Sequence, residues 1–144
     1  MSDVPAHEQN VTHRYTISYP AHEPRAHDPH KADFLEWKRR RKESNTYYCD
    51  FAHKHRNGDT SECDNDHPLE AHHNVIELAM ANEVDMTLLE ADYPGVSKMG
   101  IGAWIDSDQN LTLLCAKHHR SHAGIHTASA SDFTATEYIR GLIS

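Results

Sequence analysis

Two pairs of adjacent histidines, His72 with His73 and His118 with His119, each border a short apolar run, and they restrict how this chain can fold more than any other feature. In such a pair one imidazole can hold a metal while the other faces a substrate. In all, the 144 residues include 14 histidines, the side chain that ligates metals most often. Metal chemistry is the first expectation. Three cysteines, Cys49, Cys63 and Cys115, are too odd a set to close a disulfide framework and favour reduced thiols in a cytoplasmic compartment. The first residues, MSDVPAHEQNVTHRYT, lack the basic head and apolar stretch of a secretory signal, and no run approaches the roughly 18 apolar residues of a membrane span. One domain with no membrane partner is expected.

The pattern separates an arm from a body. Residues 1–31 hold five scattered histidines (His7, His13, His22, His27 and His30), four prolines and little apolar periodicity, and they are expected to form a flexible arm with no metal site of its own. The body is 32–144. Within it, Ala32 to Ser44 favours a helix whose last turns carry the run Lys38, Arg39, Arg40, Arg41 and Lys42, cations that complement the helix dipole. Tyr47 to Cys63, with its Asn57-Gly58-Asp59 turn, reads as a cysteine-bounded loop, and HPLEAHH as a short strand. Residues 74–95 suggest one added helix on Val75, Leu78, Ala79, Val84 and Leu88, ended by Pro94 and Gly95. Met99 to Asp108 reads as a loop or short strand, and Asn110 to Cys115, NLTLLC, is the best strand. AKHHRSHAG gives a short helix closed by Gly124. A final helix is capped by Ser131 or Thr134 and has Phe133, Tyr138, Ile139 and Leu142 on its apolar face. Met80, Met86, Leu88 and Leu89 are assigned to the core, and Trp37 and Trp104 to packing rather than base stacking.

Charge is unevenly placed along the chain. The formal net charge is -8, yet residues 61–110 alone hold eleven acids against one base, Lys98. An acidic surface repels phosphates, but the separate Lys38 to Lys42 run could still contact a nucleic-acid backbone. A solvated helix end is the equal alternative.

The second histidine pair extends into a cluster. Cys115 and His118 are three apart, which on a helix puts them on one face, while His119 and His122 fall on a face rotated away. With Cys49 and Cys63, the first face makes a tetrahedral zinc site that would staple the long loop, with His53 or His67 as alternative donors. The second face pairs His119 with His72 and leaves positions open for water and substrate, as a catalytic metal requires. His122 and His126 lie close enough in sequence to complete that shell. On an extended strand neighbouring side chains point to opposite faces, so His72 and His73 can serve different purposes.

In order, LEAHH at 69–73, Asn110 opening NLTLLC, and His119 four residues beyond Cys115 resemble the His-Asn-His (HNH) endonucleases, and the tail HHRSHAGIHTASASDF looks like phage-encoded members. CAKHH is similar to the family's C-x-x-C-H step with His118 in place of the second cysteine. The resemblance spans about 45–144, with a core at about 45–126. It implies an α+β fold: a small ββα-metal core with an added helix between its strands and flanking N- and C-terminal helices. It implies hydrolysis of DNA phosphodiester bonds with Mg²⁺, Mn²⁺ or Ni²⁺ at the catalytic site and Zn²⁺ at the structural one. His72 and His119 would bind the catalytic cation, His73 would activate water, and Asn110 would hold the loop and fix the base. DNA is the implied partner, with packaging proteins such as terminase beside it in a phage-infected bacterial cell. The 36 residues between His73 and Asn110 exceed the family's usual short loop. Two other readings stand beside this one. One is a catalytically inactive zinc-stapled nucleic-acid-binding module, and the other is a histidine-rich metal store.

Overall fold

The computed structural model describes residues 3–22 and 31–144, so His27 and His30 lie outside the described residues. At its centre, two short strands, β1 (Glu70–His73) and β2 (Leu111–Leu114), form an antiparallel hairpin-like pair in which Glu70 faces Leu114, Ala71 faces Leu113, His72 faces Thr112 and His73 faces Leu111. Helix α1 (Lys31–Glu43) covers one face of this pair: Trp37, Leu111 and Leu113 are buried together, with Phe34, Tyr47, Leu69 and Ala71 packed around them. Helices α2 (Asp50–His55) and α6 (Ala116–Arg120) flank the other face, where Cys49, Phe51, Ala52, Leu114 and Cys115 share a second small core. The protein is thus a small α+β fold around a two-stranded sheet. No helix among the described residues is long and apolar enough to cross a membrane.

Asp50 ties these layers together. Its carboxylate accepts from the Arg41 guanidinium at 2.7 Å and from the Leu113 backbone N–H at 2.8 Å, so one side chain links α1, α2 and β2. Cys49 to Cys63 is therefore not simply a loop, because α2 is wound into it. Arg41 also donates to the Thr46 carbonyl and lies between the Trp37 and Tyr48 rings.

Between the strands the chain departs from the single expected helix. Asn74 to Glu77 is irregular, Leu78–Glu83 is a 3₁₀ helix, and α3 (Met86–Asp92), α4 (Val96–Met99) and α5 (Ile101–Ile105) follow. The reason is competition for backbone groups. Asn110 Oδ1 accepts from the N–H groups of Val75 and Ile76 at 2.8 and 3.0 Å, while its amide donates to the carbonyls of Ile76 and Ile105, both at 2.9 Å. A helix through 75–76 would have to surrender those bonds. Asp85 then restarts the helix by accepting from Thr87 and Leu88 N–H. Left-handed glycines Gly95 (φ 101°) and Gly100 (φ 88°) turn the chain between the three short helices. The resulting satellite core is Leu89, Val96, Trp104 and Ile105; Leu88, expected inside, is 69% exposed. Met99 to Asp108, read as loop or strand, contains α5 instead.

The last helix, α7, is Ala130–Thr136, and it is capped by Ser129 rather than Ser131 or Thr134, Ser129 Oγ accepting from Asp132 N–H. Tyr138, Ile139 and Leu142, expected on its apolar face, lie beyond it and are exposed. Residues 3–22 have neither helix nor strand and run along the body. His13 approaches Asp132 at 3.5 Å, and Asn82 donates to the Ala21 carbonyl.

Candidate functional site

Helix α6 carries both metal-type clusters because it starts directly off β2. Cys115 occupies its N-cap position, so His118 and His119 follow within the first turn and diverge to two sides. On one side, Cys49, Cys63, Cys115 and His118 present ligand atoms that all lie within 4.8 Å of one another. His118 Nδ1 is 3.1 Å from Cys115 Sγ, 3.7 Å from Cys49 Sγ and 3.9 Å from Cys63 Sγ. With zinc bonds of about 2.3 Å to sulfur and 2.0 Å to nitrogen, tetrahedral ligands stand roughly 3.5–3.8 Å apart, so the set fits that ion. Phe51 stacks on His118 with centroids 4.1 Å apart and fixes its ring plane. The alternative donors go elsewhere: His53 stacks on Tyr48, and His67 pairs with Asp64 at 3.0 Å.

The thiols respond to this crowding. Cys115 is pulled down to about 3 by the hydrogen bond from Cys49 against the opposing effect of burial, while the same contact and burial push Cys49 up. Cys63 is pushed up to about 11, first by burial and then by the Cys115 charge. One buried thiolate with two thiols beside it is a set that a cation can convert to full coordination.

On the other side of α6, His72, His119 and His126 form a second cluster with the same mutual reach. His126 Nε2 stands 3.1 Å from His72 Nδ1 and 3.0 Å from His119 Nε2. His119 Nδ1 donates to Glu70 Oε1 at 2.9 Å, which turns its Nε2 toward the cluster. A carboxylate behind an imidazole is a common way of fixing the tautomer of a metal ligand. Glu70 also takes the Arg120 guanidinium at 3.0 Å, and these bonds outweigh its partial burial to keep it below the usual carboxylate range. Burial, with His126 and His119 nearby, holds His72 down at about 4, so its ring is neutral and able to ligate at physiological pH. His122, the other donor considered, is exposed and stands outside the cluster.

His126 reaches the cluster through a tight return of the chain. Ile125 N–H donates to the His118 carbonyl and His126 N–H to the His119 carbonyl. At Gly124 a Cβ would sit 2.7 Å from the Arg120 nitrogen and the His119 carbonyl carbon. Gly124 thus serves close approach, not the helix closure expected of it. Gly124→Ala is expected to destabilise the protein by about 1–3 kcal/mol and to weaken cation binding at the imidazoles, read by thermal melting and Mn²⁺ titration. Unchanged values would mean that the return loop gives way freely.

His73 faces the α1 side of the strand pair, where the Phe34 ring lies 5.0 Å away. Its Nε2 donates to Asp106 Oδ1 at 3.1 Å, and its Nδ1 is 3.6 Å from Glu77 Oε2. Glu77 extends its other oxygen to within 3.9 Å of His126 Nε2, so a single carboxylate spans the distance from His73 to the imidazole cluster. Burial lowers the His73 pKa, but the bonds to Asp106 and Glu77 outweigh it and raise the group to about 9. A histidine raised in this way stabilises the fold fully below its unfolded pKa of about 6.5, and the contribution, on the order of 3 kcal/mol, is lost as pH climbs through about 9. Without added divalent cation, the melting-temperature gap between wild type and His73→Gln is therefore expected to close between pH 6.5 and 9.5. A gap that stays constant over that window would contradict the ion-pair origin of the stabilisation.

Of the basic run, Arg41 is bound into the fold through Asp50, and Arg39 is engaged by Glu36 and Glu43 on its own helix. Lys42 lies over the Tyr47 ring, and Lys38 is half-buried near Glu70, with burial lowering its pKa. Arg40 is exposed. Two of the five cations expected to act as one strip, Arg39 and Arg41, are thus engaged within the protein. The carboxylates Glu70, Glu77 and Asp106 were missed in the sequence. Glu70 had a signal, since it sits two residues before His72 on the same strand face. Asp106 had none, because only the folded insertion brings it to His73.

No family model matches the chain, and neither does any curated protein or solved structure.

Proposed function

We propose that this protein is a metal-dependent endonuclease of the HNH type that hydrolyses DNA phosphodiester bonds, built on a ββα-metal core of β1, β2 and α6. The observation that carries the reading is the meeting of His72, His119 and His126, three residues from separate segments, next to a loop pinned by Asn110. The donor chemistry fits a divalent cation, which when bound would polarise the scissile phosphate and stabilise the leaving oxygen. His72, His119 and His126 would hold it. His73 is the candidate base in its neutral form, which its pKa of about 9 confines to alkaline pH: Asp106 then accepts its Nε2 proton and Nδ1 is the basic nitrogen on the Glu77 side. Asn110 fixes the backbone that follows His73, while the ring itself is held by Asp106 and Glu77 and not, as expected, by Asn110. The Cys49, Cys63, Cys115 and His118 cluster would hold zinc and keep α2 against α6. Beside the imidazoles, a cavity of about 640 Å³ lined by Asn74, Ile125, Thr127, Phe133 and the arm residues His13 and Tyr15 offers room for a nucleotide.

The test is plasmid cleavage with Mg²⁺, Mn²⁺ or Ni²⁺. Wild type is expected to cut or nick, His72→Ala to lose cation binding and cutting together, and His73→Ala to bind the cation but cut at least about 100-fold more slowly. Equal cutting by wild type and His73→Ala would remove the base assignment. The flanking of His73 by two carboxylates favours one second reading, a zinc-stapled nucleic-acid-binding module without catalysis, which predicts DNA retention with no metal-stimulated cleavage.

A further inference from the structure

The three imidazoles leave a carboxylate at their edge that the reading above does not use. Glu77 ends the irregular segment whose N–H groups at Val75 and Ile76 are held by Asn110, so the backbone leading to it is anchored. Its Oε1 lies 3.9 Å from His126 Nε2. A six-coordinate shell with bonds of about 2.1 Å places neighbouring donors about 3.0 Å apart and opposite donors about 4.2 Å apart. The His126 separations of 3.0 and 3.1 Å from the other two imidazoles match neighbouring positions, whereas Glu77, 3.9 Å from His126, stands outside the mutual reach of the three donors and would join them by a turn of its side chain. Glu70, the other nearby acid, is taken up by His119 Nδ1 and Arg120 and buttresses the shell from outside.

We propose that Glu77 is the fourth protein ligand of the cation at His72, His119 and His126, donating Oε1. The inference rests on reading that cluster as a divalent-cation site. Three imidazoles carry no charge and favour the later transition metals, whereas a carboxylate adds a hard, anionic oxygen of the kind that Mn²⁺ and Mg²⁺ require. Two positions then remain for water and a phosphate oxygen. The other Glu77 oxygen faces His73, so turning the carboxylate onto the ion opens the space beside His73 Nδ1 to a water molecule.

Calorimetric titration of the zinc-loaded full chain with Mn²⁺ and, separately, Ni²⁺ tests this. Glu77→Gln is expected to weaken Mn²⁺ binding by at least about tenfold, the scale on which even an outer hydrogen-bonded partner of a ligand acts, and to weaken Ni²⁺ less. Zinc content should not change. Mn²⁺ affinity equal to wild type would overturn the proposal and leave Glu77 as a partner of His73 only. His72→Ala separates the two levels, since undiminished Mn²⁺ binding in that variant would overturn the cation site itself. If Glu77→Gln fails to fold, Glu77→Asp and wild-type infrared spectra keep the question open to refutation. The shorter carboxylate should bind Mn²⁺ more weakly than wild type, and Mn²⁺ should shift a carboxylate stretch that Ni²⁺ shifts less. No shift with Mn²⁺ would overturn the assignment.

Discussion

Cys115→Ser is expected to release zinc and to lower the melting temperature by more than about 10 °C. Cys115 is fully buried, and its sulfur is the one nearest His118, at 3.1 Å. Removing the readily ionised member of the set leaves two thiols that resist ionisation and one imidazole, too few donors for a closed tetrahedral shell. The mechanical consequence follows from the small cores. Phe51, Ala52 and Leu114 pack directly around these cysteines, and with the Asp50 bridge they join α2 to the strand pair. Structural zinc can supply on the order of 10 kcal/mol of folding free energy, comparable to the whole stability of an ordinary domain, so partial loss should show clearly in a melt. Metal analysis of the same samples checks the cause. A wild type without zinc and a variant with an unchanged melt would remove the centre from the account.

Asn110→Ala is expected to cost on the order of 4 kcal/mol, because it strands several buried polar groups at once. The side chain is completely buried and makes four bonds to backbone atoms of Val75, Ile76 and Ile105. Chemical denaturation gives the stability loss. Cation affinity gives the positional effect, since Glu77 hangs on the segment that Asn110 holds. Asn110→Asp is the sharper comparison: it keeps the shape and both acceptor contacts but loses the two donated bonds and buries a charge, so it should be no more stable than the alanine variant. A mild effect of both would mean that the loop is held by other contacts.

The strands and the cysteine cluster were legible in the sequence because each depends on short-range pattern. NLTLLC alternates little and is β-rich, and β2 forms there with Leu111, Leu113 and Leu114 buried. Cys115 and His118 share a helical face, as their spacing requires. What was not legible depends on tertiary competition. The apolar spacing from Val75 to Leu88 is helical, yet Asn110, remote in sequence, captures the backbone where that helix would have begun. The roles of Arg41 and Asp106 were hidden for the same reason. A charge can be read from the sequence, but its partner is known only when Asp50 or His73 arrives beside it. His126 could be named as a donor, but preferring it to His122 required the close approach at Gly124.

Helix α6 has one residue, His118, in the cysteine cluster and the next, His119, in the imidazole cluster. Adjacent side chains on one rigid turn cannot adjust independently, so loading either centre biases the orientation available to the other. Thermodynamic reciprocity then makes the effect of each centre on the other equal in size and sign. Were both centres loaded, loss of the ion at the cysteines would therefore be felt at the imidazoles through the five-residue turn.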